Sequence, residues 1–80
     1  MDDSEILQSI TKLVSEEHQL MQQAEEGELG ETKQARMHEI EIQLDQCWDL
    51  LRQRRARREF GLNPEEATLR DPNIVEHYQQ

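Results

Sequence analysis

The chain has 80 residues, of which 34% are apolar and 34% charged, and a formal net charge of −9. So short a chain buries too small a share of its surface for a comfortable monomeric core. Its single cysteine, Cys47, excludes an internal disulfide, and no Cys/His cluster stands at metal-ligand spacing, so oligomerisation is the remaining common support.

The first element starts at an acidic stretch, Met1-Asp2-Asp3-Ser4-Glu5, where a secretory signal would be basic. Ser4 reads as the N-cap of a helix over residues 4–26, with Asp2 and Asp3 beside the positive end of its dipole. Ile6, Ile10, Leu13, Leu20 and Ala24 recur at helical spacing, and Leu7, Val14 and Met21 widen the stripe on one side. The segment 27–31, with two of the three glycines, breaks the pattern and reads as the turn.

A second helix is expected over 32–60, with Thr32 as a candidate cap and a stripe of Met37, Ile40, Leu44, Cys47 and Leu51, flanked by Trp48 and Leu50. Gly61 suits the left-handed position that closes a helix. Two helices of about 25 residues, each ~38 Å long, joined by about five residues favour an antiparallel hairpin. Folding about a centre near residue 28 sets Leu20 near Met37, Leu13 near Leu44 and Ile6 near Leu51. Two helices cover only one side of each stripe, so dimerisation into a four-helix bundle completes the packing. Residues 1–61 thus form a coiled-coil-like hairpin and 62–80 a short helical tail. In that tail, Asn63-Pro64 and Asp71-Pro72 each open a helical turn, and Ile74, Val75 and Tyr78 form one small apolar face.

No apolar run approaches the ~20 residues of a membrane helix, so the chain is expected to be cytoplasmic, without membrane contact. The negative charge disfavours broad adhesion to nucleic acid or anionic lipid. The charge is uneven, however: residues 1–30 hold eight acids and one lysine, whereas 51–58 hold five arginines and no acid. Arg52, Arg54, Arg55, Arg57 and Arg58 are therefore the candidate contact with a protein partner, or with phosphates in a competing nucleic-acid reading. The hairpin register also sets Arg52, Arg54 and Arg55 beside Asp2, Asp3 and Glu5, where they would be neutralised within the chain. Nothing aromatic interleaves the run, which weakens the single-strand case.

His18 and His38 mirror each other about the turn with glutamates nearby. The inward Glu-x-x-His of a carboxylate-bridged metal site is missing, so solvated histidines, no metal and no cofactor are expected. Cys47 lies on the apolar stripe, where a thiol acts as a small hydrophobe, and no activating base is identifiable beside it. Trp48 is either the core anchor or an interface hot spot. Ile42, with Ala35, marks a possible second face. Leu13, Leu44, Cys47, Trp48 and Leu51 are the candidate self-association residues. No glycine-rich phosphate loop or Ser/His/Asp arrangement is present, so no catalytic residue is assigned.

The stretch Leu44-Asp45-Gln46-Cys47-Trp48-Asp49-Leu50-Leu51-Arg52-Gln53-Arg54-Arg55-Ala56-Arg57-Arg58-Glu59-Phe60-Gly61 resembles the signature of a family of short, acidic bacterial proteins of unknown function. Glu16-Glu17-His18-Gln19-Leu20 and Val75-Glu76-His77-Tyr78 are similar too, so the likeness covers nearly the whole chain. It implies a cytoplasmic bacterial helical protein and carries over no activity, cofactor or site residue. The reading is therefore a non-enzymatic helical interaction or assembly protein that forms a homodimer; the alternative is a nucleic-acid or ribonucleoprotein accessory factor.

Overall fold

The computed structural model describes residues 2–27 and 30–71, and all regular structure among them is helical. Helix α1 spans Asp3–Glu25, helix α2 spans Glu31–Glu59, and a single 3-10 turn covers Pro64–Glu66.

The N-cap of α1 is Asp2, not Ser4. The Glu5 amide donates to Asp2 Oδ1 at 2.9 Å, and the Asp2 amide donates back to Glu5 Oε1 at 3.4 Å. This reciprocal capping box needs an acceptor three residues before a Glu or Gln. Asp2 has Glu5 there, whereas Ser4 would have Leu7, which has nothing to return. The helix closes at Gly27, whose φ of +76° lies in the left-handed region.

Helix α2 begins one residue before Thr32, with Gly30 as N-cap and no side-chain cap. The Thr32 side chain falls inside the first turn and so does not cap it. At the far end Gly61 adopts φ +70°, as its position suggested. The Leu62 amide reaches the Arg57 carbonyl at 2.7 Å and the Gly61 amide the Arg58 carbonyl at 3.2 Å, the paired bonds of a Schellman closure. This closure turns the chain back on itself.

The helices are joined across the hairpin at two levels. Arg36 donates from Nε and a terminal nitrogen to both oxygens of Glu16, at 2.7 and 2.8 Å. Arg54 Nε donates to Asp3 at 2.5 Å. Ile6, Ile10 and Leu50 form the buried cluster between them, with Val14, Leu44, Cys47, Trp48, Leu51 and Ala67 packed against it. Leu20 and Ile40 are buried on the turn side. The molecule is long and thin, 50 × 24 × 18 Å.

After Gly61 the chain runs back along α2. Asn63 accepts a hydrogen bond from the Glu65 amide at 3.0 Å and so caps the 3-10 turn, after which residues 67–71 have no regular structure. The tail therefore contributes one short helical turn among the described residues. The second expected turn, with Pro72, Asn73, Ile74, Val75 and Tyr78, lies outside them.

Candidate functional site

The returning segment, residues 62–71, is a strap held chiefly by polar contacts to one stripe of α2. Gln46, Asp49, Gln53 and Arg57 recur at three- and four-residue steps and so share a face. Gln46 Nε2 donates to the Arg70 carbonyl at 3.1 Å, and Gln53 Nε2 donates to the Thr68 carbonyl at 2.9 Å. Arg57 pairs with Glu66 at 3.4 Å. Asp49, only 2% exposed, receives Nε of Arg70 at 2.8 Å, a second Arg70 nitrogen, and Gln53 Nε2 at 2.9 Å. Burial pushes the Asp49 carboxyl up, but the hydrogen bonds from Arg70 and Gln53, with the positive charges of Arg70 and Arg52, outweigh it and hold the group below its ordinary value.

Arg54 is the second junction. It is 5% exposed and joins three segments: Asp3 at the start of α1, its own helix, and the Pro64 carbonyl and Glu65 carboxylate of the strap, both at 3.2 Å. Its hydrogen bond, followed by that of Arg58, lowers the Asp3 carboxyl. Arg58 reaches Asp3 at 2.9 Å, and Arg55 lies 3.9 Å from Glu59. Arg52 and Arg55 are exposed.

The candidate contact residues thus divide. Arg54 is taken up within the protein, which removes it from the outward-facing set. Arg57 and Arg58 are partly engaged, and Arg52, whose charge also acts on Asp49, and Arg55, beside Glu59, are exposed. Asp3 answers Arg54 and Arg58; the expected pairing of Arg55 with the start of α1 gives way to an i,i+4 pair with Glu59.

The candidate self-association residues also divide. Leu44, Cys47, Trp48 and Leu51 pack against the core cluster, each half-buried. Leu13 sits with Cys47 in a cleft of about 410 Å³ that also includes Ser9, Lys12, Gln43, Gln46 and Leu69 of the strap. Burial raises the Cys47 thiol above its usual range. His38 Nδ1 is 4.0 Å from Glu41, both exposed, and His18 is exposed. Among the described residues no group of three or more His, Cys, Asp or Glu is placed to hold a metal ion. No helix among them is long and apolar enough to cross a membrane.

With the strap on one side, apolar side chains remain open elsewhere. Leu7 and Met21 are 47% and 48% exposed. Leu7, Val14 and Met21 are seven residues apart and lie along one line of α1, and a shallow groove beside Leu7 is lined by Ser4, Gln8, Thr11 and Lys12. Met37, Leu44 and Leu51 repeat the spacing on α2, with Trp48 beside Leu44, and all four are half-buried. Sequence reasoning treated Leu7 and Met21 as the margin of a core stripe. It missed Asp49 and Arg70 altogether, although a flank carrying Gln46, Asp49 and Gln53 is rich in amides where a solvated face usually carries charges.

These features define a small helical hairpin, closed on one side by its own C-terminal strap and open along an apolar line on another. The chain belongs to the family described as "Protein of unknown function (DUF2630)", which matches it over residues 2–80. It is similar to the uncharacterized proteins Rv0898c of Mycobacterium tuberculosis and Mb0922c of Mycobacterium bovis, each 51% identical over 77 residues, or 95% of this chain and 88% of theirs. No solved structure matches it. The resemblance to short bacterial proteins of unknown function therefore holds at the level of the family.

Proposed function

We propose that the protein acts by binding: it is a cytoplasmic helical interaction or assembly protein whose hairpin pairs with a second copy into a four-helix bundle. The observation that carries this reading is the half-exposure of Leu7 and Met21 on one line with Val14. An apolar line on an otherwise polar helix face is a surface to be covered.

The exposed Arg55 then offers positive charge to an acidic protein surface, that of a second copy included. The pairing of Arg54, Arg57 and Arg58 with Asp3, Glu65 and Glu66 weighs against phosphate binding, because it leaves little excess positive field at that end. Sedimentation equilibrium across protein concentration tests the reading. A dimer that Leu7→Asp dissociates without loss of helicity is the expected result; a wild-type chain that stays monomeric and folded would overturn it. For the phosphate alternative, a salt-steep shift with RNA or DNA would displace the protein-partner role of the arginines.

A further inference from the structure

Resting on the dimeric reading above, we infer that the two copies stack antiparallel, so that the arginine end of each hairpin lies over the acidic turn end of the other. The apolar line alone does not choose a direction. Leu7, Val14 and Met21 are symmetric about Val14, so Leu7 meets Met21 in an antiparallel pair and itself in a parallel one, with equal apolar burial.

The charges choose. Glu25 follows Met21 by four residues and continues the open line of α1 to the turn, where Glu26 and Glu31 add two further exposed carboxylates. At the other end Arg52 and Arg55 follow Trp48 by four and seven residues, so they continue the open line of α2. The Arg55 side chain is 76% exposed, and its contact with Glu59 is a long one at 3.9 Å. A parallel stack sets turn on turn, with like charges facing. An antiparallel stack about Val14 carries Arg55 to the level of Glu25 and Glu26 of the second copy and makes the match twice, once at each end. Like-charge juxtaposition is the stronger discriminator of the two, because it penalises the wrong arrangement directly.

The strap occupies the side of the hairpin defined by Asp49 and Gln53, and its Ala67 packs against the core cluster, which leaves the Leu7 and Met21 side for the second copy.

The test is a distance between spin labels at Glu26→Cys in a Cys47→Ala background, measured on the full chain. Antiparallel stacking separates the two labels by about the ~35 Å length of α1, and that is the expected result. A dimer with labels within about 20 Å, given helix spacings of 8–10 Å, would overturn the antiparallel inference and leave the dimer standing. A monomer would overturn both. Independently of any label, Arg55→Glu and Glu25→Arg should each raise the dimer dissociation constant about three- to tenfold, and the double exchange should restore it. Failure of the double exchange to restore affinity would also overturn the inference.

Discussion

Arg70 clasps the carboxylate of Asp49 across 21 residues of sequence, and Asp49 is almost wholly buried while the Arg70 side chain is 46% exposed. The two partners are therefore unequal. Removing Arg70 strands a buried charge with Gln53 as its remaining donor, whereas removing Asp49 leaves a cation that reaches water.

Arg70→Ala should consequently cost about 1–3 kcal/mol of stability, and Asp49→Ala less. The double variant should be no worse than Arg70→Ala alone. Urea denaturation of the three proteins checks this, and equal costs for the two single changes would contradict the strap geometry.

Acid should loosen the fold. Asp3, Asp49 and Glu16 all have carboxyls held below their ordinary values of 3.8 for aspartate and 4.5 for glutamate: Asp3 by hydrogen bonds from Arg54 and Arg58, Asp49 by Arg70 and Gln53 against the opposing effect of burial, Glu16 by Arg36. A group lowered in the folded state stabilises fully above its unfolded value and loses that contribution as pH falls through the folded one. Asp45, raised by burial and by Glu41, works in the opposite direction. Three lowered carboxylates against one raised predict a melting temperature that is level near neutrality and falls from about pH 4.5 toward about pH 2. Asp3→Asn should start lower at pH 7 and show a shallower fall, which calorimetry across that range would reveal.

The start of α1 offers a direct comparison of two candidate caps. Asp2→Ala breaks both arms of the capping box and should cost about 1 kcal/mol, whereas Ser4→Ala should change stability by less than about 0.5 kcal/mol. Thermal unfolding followed by circular dichroism separates the two, and a larger effect at Ser4 would refute the assigned cap.

Cys47 reports on the strap. Its thiol is half-buried, raised by burial, and shares a cleft with Leu69. Alkylation at neutral pH should be slower than for a free thiol, and Arg70→Ala should speed it several-fold as Leu69 moves away. An unchanged rate would mean that the strap does not cover the cysteine.

The all-helical class was legible because Ile6, Ile10, Leu20, Ile40 and Leu50 fall at helical spacing, and among the described residues these are the buried apolar ones. Gly61 was legible for a local reason, since only glycine takes a left-handed angle there without strain. The caps were misplaced by choosing the hydroxyl nearest the apolar run, although the pairing of Asp2 with Glu5 was visible at its three-residue spacing. Asp49 was not legible. An aspartate four residues before Gln53 reads as solvated surface until a later segment returns to bury it, and that return depends on Arg54 and Arg70 reaching partners far along the chain. The candidate site was only partly legible for the same reason: the sequence shows five arginines within residues 51–58, but the fold decides which of them are already answered.

The central claim is that the exposed Leu7 and Met21, on one line with the half-buried Val14, are covered by a second copy. Small-angle X-ray scattering of the wild-type chain over a concentration series measures this most directly. The account predicts a scattering mass of twice 9.5 kDa that persists on dilution. A folded particle of 9.5 kDa at every concentration, with a radius of gyration near 14.8 Å, would contradict it.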